Sequence, residues 1–181
     1  MGLDFIERKN NLLSRDNCNQ IIQWVFDNKK IIADENIHDT GYHYCDISIP
    51  EVFTVPELKN IGKSIISLKE SYVKKYPEVN NTFNAWDIDY IRFKWWKPNY
   101  AYSLWHSDNG GPSPMDVKRI LAFLIYLSDN ECSTEFRRYE NVKTEMGSGV
   151  MFPTFFTHEH RGGICERGLD RFVISGYMSY I

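Results

Sequence analysis

Residues 119–128 have the sequence RILAFLIYLS, an almost unbroken apolar run that ends at Asp129 and Asn130. Apolar runs of this length, closed by turn-forming residues, are typical of a central β-strand. Residues 86–93, with the sequence WDIDYIRF, alternate between apolar and polar side chains in the manner of a half-buried strand. The two stretches together predict a β-sheet in the second half of the chain.

Shorter β-rich segments surround these two strands, at residues 133–136, 150–152 and 171–178. They are separated by turn-forming residues, namely Gly147, Gly149, Pro153, Gly162, Gly163 and Gly168. Many short strands with turns between them, preceded by helices, predict a sandwich or barrel with the helices packed outside.

The first third of the chain predicts two helices. Ser14 can cap a helix whose apolar residues recur at helical spacing, namely Cys18, Ile21, Ile22, Val25 and Phe26. A second helix is predicted to start at Pro56 and to stop before Pro77, with its apolar positions at Leu58, Ile61, Ile65, Leu68 and Tyr72. Residues 41–50 between the two helices are predicted to be extended.

Composition narrows the functional classes. The 181 residues are 43% hydrophobic and 15% aromatic and carry a net charge of −3. There is no global cationic field, so neither nucleic acid nor a membrane is expected as a partner. No repeat or linker divides the chain, and we expect one domain over residues 1–181, with helices at about 14–77 and a β-core at about 85–181.

The four cysteines, Cys18, Cys45, Cys132 and Cys165, are widely scattered and form no CxxC pair. A disulfide scaffold is not expected at this chain length and cysteine density. The sequence therefore predicts buried, reduced thiols and a cytoplasmic location.

A first chemical signal is His106, which is followed two residues later by Asp108. Residues i and i+2 of a strand point to the same face, so this imidazole and this carboxylate could bind one metal ion. The pair alone is weak evidence, because a surface histidine near a solvated aspartate has the same spacing.

A second signal is His160, which lies 52 residues beyond Asp108 in the segment FPTFFTHEHRGG, residues 152–163. Two histidines and one carboxylate form the facial triad of non-heme Fe(II) oxygenases, which leaves coordination positions open for other ligands. A His-x-His pair of His158 and His160 is an alternative that the spacing leaves open.

A third signal is Arg171, 11 residues past His160, at the start of the strand-like residues 172–177. A guanidinium in a buried strand needs an anion to offset its desolvation. A dicarboxylate cosubstrate would supply one through a bidentate contact. The alternative is an ion pair with Asp170 or with a nearby glutamate.

Taken together, these elements resemble the Fe(II)/2-oxoglutarate-dependent dioxygenases, and more narrowly the prolyl 4-hydroxylase-like branch and its compact phage-encoded relatives. The resemblance covers about residues 90–177. Its residues are YSLWHSD (102–108), RILAFLIYLS (119–128), STEF (133–136), GVMFP (149–153), HRG (160–162) and the Arg171 strand. Two positions depart from the family pattern: Glu131-Cys132 stands where Gly-Gly is common, and Arg171 stands where lysine is frequent.

The resemblance implies a fold and a set of site residues. The fold is an α+β, mainly β protein with a double-stranded β-helix core, that is, a jelly roll of cupin-like type, and N-terminal supporting helices. His106, Asp108 and His160 would be the iron ligands, and Arg171 would hold the far carboxylate of 2-oxoglutarate. The candidates for a hydroxyl group beside that carboxylate are Tyr126, Ser175 and Tyr102.

The resemblance also implies an activity. The cofactors would be Fe(II), 2-oxoglutarate and O2, with ascorbate as a candidate reductant. The reaction would hydroxylate an amino-acid side chain, with prolyl residues of a peptide or protein favoured over a small amino-acid-like substrate. The location would be the cytoplasm, or the host cytoplasm if the chain is phage-encoded.

Two loop-like segments flank the His106 region, at residues 95–100 and 109–114. Aromatic side chains in them could bind a proline-containing peptide in an extended form. The alternative is that Trp95 and Trp96 simply alternate between core and surface.

Two other functions remain open at this point. One is a non-catalytic jelly-roll module that binds a peptide or sugar, and the other is a cupin-like metalloenzyme that does not use 2-oxoglutarate.

Overall fold

The computed structural model describes residues 4–33, 41–111, 113–164 and 170–181. Cys165 and Gly168, which the sequence singled out, lie outside these ranges. The strands in chain order are β1 (Glu7–Lys9), β2 (Ile32–Ala33), β3 (Tyr42–Asp46), β4 (Trp86–Trp96), β5 (Arg119–Tyr126), β6 (Ser133–Phe136), β7 (Val142–Lys143), β8 (Gly149–Pro153), β9 (His160–Gly162) and β10 (Arg171–Tyr180).

These strands form two antiparallel sheets. The large sheet has the order β1-β8-β5-β10-β4-β3-β2, and the small sheet has the order β7-β6-β9. The apolar run at residues 119–128 becomes β5, which lies inside the large sheet between β8 and β10. A mainly β protein of the α+β class, as predicted from the sequence, is confirmed.

The helices are α1 (Arg15–Asn28), α2 (Glu51–Thr54) and α3 (Lys59–Lys75). The cap predicted for α1 is present, since the Ser14 hydroxyl accepts a hydrogen bond from the Asn17 amide at 3.1 Å. The predicted start of the second helix at Pro56 is wrong. The Glu51 carboxylate accepts bonds from Ser48 and nucleates the separate short helix α2, and the chain then turns before α3 begins.

The two faces of the large sheet bury different sets of side chains. One face packs against α1 and α3 in a core that includes Phe93, Phe123 and Ile174. The opposite face buries a second cluster, which includes Trp96, Tyr126, Phe152 and Val173. Strand β5 is therefore buried on both faces, and this explains its unbroken apolar sequence.

The register of the central strands positions the site. On the face that carries the second cluster, Arg171 lies opposite Trp96, and Val173 lies opposite Lys94. Because directly opposed residues of antiparallel strands share a face, these side chains belong to one surface together with Tyr177, six residues beyond Arg171. This surface borders the cavity described below.

The structure corrects the expectation for residues 95–100, because β4 continues through Trp96 and both tryptophans belong to a strand. Trp95 packs on the helix side, against Phe26, and its indole nitrogen donates to Asp170 at 2.9 Å. Trp96 is buried on the opposite face. The alternation of the two tryptophans follows the two-residue period of the strand.

Cys18 and Cys45 are free and buried, whereas Cys132 is disulfide-bonded. The expectation that all of the cysteines are reduced is therefore wrong at Cys132. None of the described helices is long and apolar enough to cross a membrane.

Candidate metal centre

The structure brings His106, Asp108 and His160 together, with one candidate ligand atom from each within 4.8 Å of the others. A backbone bridge links the two histidines: the amide of each donates to the carbonyl of the other, at 3.1 Å and 3.0 Å. The Asp108 carboxylate lies 3.6 Å from His160 Nε2 and 3.9 Å from His106 Nε2. Three side chains therefore converge on one point.

Hydrogen bonds orient both imidazoles. His106 Nδ1 donates to the Leu104 carbonyl at 2.9 Å, and His160 Nδ1 donates to the His158 carbonyl at 3.1 Å. Because a carbonyl oxygen only accepts, each Nδ1 must carry the proton, and each Nε2 presents a lone pair toward Asp108. Fixing the tautomer in this way is common for metal-binding histidines.

Electrostatics keeps the three groups in their metal-binding states at neutral pH. Burial lowers the pKa of His160 to about 4 and also lowers the pKa of His106. Burial opposes ionisation of Asp108, but the adjacent imidazoles, Lys94 and a hydrogen bond from Tyr177 hold its pKa below the usual value. The result is two neutral imidazoles beside a carboxylate, a donor set that suits divalent transition metals.

His158 is held away from this cluster. Its Nε2 lies 2.9 Å from the Asp4 carbonyl, its Nδ1 lies 2.9 Å from the Thr157 hydroxyl, and its ring stacks on Tyr139. Both ring nitrogens are used by the protein, so the geometry favours His160 over His158 as the metal-binding residue.

Two residues that the sequence did not single out support Asp108. The Tyr177 hydroxyl donates to Asp108 Oδ1 at 2.9 Å, and an Arg119 Nη donates to the Asp108 carbonyl at 3.1 Å. The Arg119 guanidinium also stacks on the Tyr177 ring at 3.9 Å. Tyr177 belongs to β10 and Arg119 to β5, so the large sheet orients the aspartate.

We predict that Tyr177→Phe weakens metal binding by about tenfold, because loss of a hydrogen bond to a ligating carboxylate costs roughly ten- to hundredfold in affinity. Calorimetric titration of the metal-free protein with Mn²⁺ measures the effect. Tyr180→Phe, at the far end of the same strand, is the matched control and should bind Mn²⁺ like the wild type. Equal affinity of all three proteins would contradict the role given to Tyr177.

The low pKa of His160 predicts a pH dependence of stability in the metal-free protein. Below pH 6.5 the unfolded chain protonates this imidazole, while the folded chain stays neutral down to about pH 4. Over that window the free energy of unfolding should fall by up to about 1.4 kcal/mol per pH unit as the pH decreases. Urea denaturation in the presence of a chelator measures this slope. His160→Gln should reduce the slope, and an unchanged slope would contradict the assignment.

A cavity of about 420 Å³ lies between the two sheets and opens beside the metal-binding cluster. Its lining includes Lys94, Trp96, Tyr102, His106, Asp108, Leu124, Thr134, His160, Gly162, Arg171, Val173 and Tyr177. Arg171 and the three candidate metal ligands therefore share one cavity.

Arg171 is buried and has only weak partners. Its Nη atoms lie 3.4 Å from the Gly163 carbonyl and 3.5 Å from the Thr134 hydroxyl, and its Nε has no partner in the described part of the chain. Asp170, the alternative ion-pair partner, accepts the Trp95 bond instead. Among the described residues no carboxylate lies within 4 Å of the Arg171 guanidinium, so a buried donor group faces the cavity without an anion.

The three candidate hydroxyl residues occupy different places. The Tyr126 hydroxyl lies 2.7 Å from the Thr134 hydroxyl, which in turn faces Arg171. The Tyr102 ring lines the cavity, 4.4 Å from the His106 ring. Ser175 is buried on β10 and is not among the described residues that line the cavity. Thr134, which the sequence showed only as part of the STEF segment, has its hydroxyl 3.5 Å from an Arg171 Nη.

No protein-family model and no curated protein matches the sequence. Solved structures do match. A viral collagen prolyl hydroxylase, vCPH from Paramecium Bursaria Chlorella virus-1, solved as a 2OG complex, aligns with a TM-score of 0.72 and 14% identity over 98% of this chain and 97% of that chain.

Two other solved structures align with similar TM-scores. A prolyl hydroxylase from Trichoplax adhaerens, solved with a hypoxia inducible factor peptide, gives a TM-score of 0.71 and 14% identity over 98% of this chain and 84% of that chain. The non-heme alpha ketoglutarate dependent epimerase SnoN from nogalamycin biosynthesis gives a TM-score of 0.70 and 11% identity over 98% of this chain and 78% of that chain.

These matches cover nearly all of the chain, and they include the helices as well as both sheets. The fold implied by the sequence motifs, a jelly roll with supporting helices, is confirmed. This chain has the fold of the prolyl 4-hydroxylase-like Fe(II)/2-oxoglutarate-dependent oxygenases.

Proposed function

We propose that this chain is an Fe(II)- and 2-oxoglutarate-dependent dioxygenase that hydroxylates an amino-acid side chain, with prolyl residues of a peptide or protein as the favoured substrate. The observation that carries the proposal is that one cavity holds a His-Asp-His cluster and a buried arginine that has no carboxylate partner among the described residues. The alignment over 98% of the chain supports a single oxygenase domain over residues 1–181.

The residues present fit the iron. His106 Nε2, His160 Nε2 and an Asp108 oxygen supply two neutral nitrogens and one anionic oxygen, the donor set of the facial triad. Only these three side chains form such a cluster among the described residues, so the remaining coordination positions stay open for other ligands.

The residues also fit 2-oxoglutarate. Arg171 has a buried Nε for which the described residues offer no partner, and it presents its guanidinium to the cavity, where a carboxylate would complete its hydrogen bonding. Thr134 and Tyr126 form the adjacent hydroxyl pair. Gly162 leaves the space that Arg171 needs, because a Cβ there would lie 3.2 Å from an Arg171 Nη.

When bound, iron, 2-oxoglutarate and O2 would supply the oxidation of an unactivated C–H bond, coupled to conversion of 2-oxoglutarate to succinate. The protein holds the ligands, excludes water and orients the substrate. Leu124, Val173, Trp96 and Tyr102 give the cavity apolar surface beside the polar and charged lining residues.

The matched structures bear on the substrate of the proposed reaction. Two of the matched proteins are prolyl hydroxylases, one of them solved with a peptide, and these support a prolyl substrate. The third match is an epimerase, so the same fold also serves another reaction. Gly110 and Gly111, from the second loop that the sequence singled out, border the cavity.

The proposal is tested by incubating the protein with Fe(II), ascorbate and 2-oxoglutarate in air. We expect succinate to form, and a peptide or amino acid that is a substrate to gain one oxygen atom by mass spectrometry. His106→Ala should lose both signals, whereas His158→Ala, which alters a histidine outside the cluster, should keep the ability to form succinate. A protein that forms no succinate would instead be a binding module or an enzyme without this cosubstrate.

A cytoplasmic location stays a prediction. The free, buried thiols of Cys18 and Cys45 support it, while the disulfide-bonded Cys132 does not.

A further inference from the structure

The cavity carries more positive charge than the proposed cosubstrate needs. Five basic side chains line it, namely Arg92, Lys94, Arg119, Arg161 and Arg171. The only carboxylate among the described lining residues is that of Asp108.

Three of the five basic residues are already neutralised by an acidic neighbour outside the cavity lining. The pairs are Arg92 with Asp46 at 2.7 Å, Arg119 with Asp116 at 2.8 Å and Arg161 with Glu135 at 2.7 Å. Arg171 and Lys94 are left without such a partner in the part of the chain that the structure describes.

Lys94 lies in the middle of the large sheet, opposite Val173 of β10 and Tyr44 of β3. Its Nζ lies 5.9 Å from the centroid of the Tyr42 ring, and within the described residues no carboxylate comes within 4 Å of it. Burial lowers the Lys94 pKa to about 8, and the charge of Asp108 opposes that shift. An ammonium in this position is costly unless an anion accompanies it.

With a divalent metal and the cosubstrate bound, the cavity would lack one negative charge. A divalent metal on Asp108 leaves one net positive charge there, and Arg171 and Lys94 add one each. A dianionic cosubstrate balances two of these three charges. One positive charge then remains, and one further anionic group would neutralise it.

The lysine is also separated from the proposed cosubstrate contacts. Arg171 lies opposite Trp96, two residues along β4 from Lys94. Because strands rise by about 3.3 Å per residue, Arg171 and Lys94 are offset by about 7 Å along the strand direction. Thr134 and Tyr126 are grouped with Arg171 by hydrogen bonds. On the other side of Lys94, an Nη of Arg92 lies 3.5 Å from the Tyr42 hydroxyl.

We propose that Lys94 forms a second anion subsite that binds a carboxylate of the primary substrate. The inference rests on the proposed function and narrows its substrate class. Because the subsite and the metal cluster share one cavity of about 420 Å³, the carboxylate and the reacting carbon belong to one small unit. A free amino acid derivative or a C-terminal residue fits this description, and an internal residue of a neutral peptide does not.

The test compares N-acetyl-L-amino acids with their primary amides, which differ only in the carboxylate. N-acetyl-L-proline and its amide are the first pair, followed by the other members of the series. The protein is loaded with Zn²⁺ and with N-oxalylglycine, an unreactive analogue that occupies the 2-oxoglutarate position, and binding is measured by calorimetry. We expect at least one acid to bind about ten- to hundredfold more tightly than its amide, as for a charge-assisted hydrogen bond.

Two variants test whether Lys94 causes the preference for the acid over its amide. Lys94→Met should remove the preference for the acid and leave N-oxalylglycine affinity within about threefold of the wild type. Lys97→Met, which alters an exposed lysine just beyond the same strand, is the matched control and should keep the preference.

The outcomes separate the two proposals. A wild-type protein that shows no preference for any acid, including one that binds neither compound, overturns the subsite. A Lys94→Met protein that loses N-oxalylglycine binding and keeps the preference for the acid also overturns it, because Lys94 would then serve the cosubstrate. Failure of the wild type to bind Zn²⁺ and N-oxalylglycine would instead contradict the proposed function. If Lys94→Met does not fold, the comparison of acids with amides on the wild type still tests whether the cavity prefers a substrate with a carboxylate.

Discussion

Asp108→Asn is expected to lower the affinity for Fe(II) and the rate of succinate formation by at least about a hundredfold. The reason is that the variant removes the only anionic donor of the cluster, and loss of even an outer hydrogen-bonding partner costs about ten- to hundredfold. The asparagine keeps the size of the side chain, so the cavity and the fold should persist. Metal analysis of the purified protein and a succinate assay with excess Fe(II) measure the two effects.

Asp87→Asn is the matched control for this variant. Asp87 lies on β4 and forms an exposed ion pair with Lys69, away from the cavity. Its loss should leave metal content and succinate formation unchanged. Full activity in Asp108→Asn would show that the cluster of His106, Asp108 and His160 is not the metal site.

The second large effect is expected for Arg171→Met, which should raise the KM for 2-oxoglutarate by roughly thirtyfold or more. Removal of one member of a buried charge pair costs about 2 kcal/mol or more, and this corresponds to that change in affinity. The kcat at saturating cosubstrate should change much less, because Arg171 is assigned to binding rather than to the metal. Initial rates of succinate formation over a range of 2-oxoglutarate concentrations separate KM from kcat.

Arg171→Lys is the informative companion, since it keeps the positive charge and loses the bidentate geometry. It should recover part of the lost affinity. An unchanged KM in Arg171→Met would show that other residues hold 2-oxoglutarate, and would contradict the role given to Arg171.

Much of the fold could be predicted from local sequence. The apolar run of β5 and the alternation at the start of β4 identify central strands, since both reflect burial that the strand imposes on each residue. Strand β1 is different. Glu7–Lys9 is short and polar and pairs with β8 through its backbone, so no periodicity in the side chains marks it.

The site could be predicted only in part, for a similar reason. The spacing of His106 and Asp108 is local, and the motifs around His160 and Arg171 resemble a family pattern. Tyr177 and Lys94 look like ordinary strand residues in the sequence. Their place beside the cavity depends on the register of β10 with β4, and a shift by one residue would turn each to the opposite face.

The bridge between His106 and His160 gives the centre one more property. Backbone hydrogen bonds align the two histidines, and main-chain carbonyls accept the Nδ1 protons of both imidazoles. The metal site is therefore preorganised before an ion binds. Uptake of the ion then requires little ordering of the polypeptide. Chelation should therefore strip the centre without unfolding it, and adding back the ion should reconstitute the holoprotein directly.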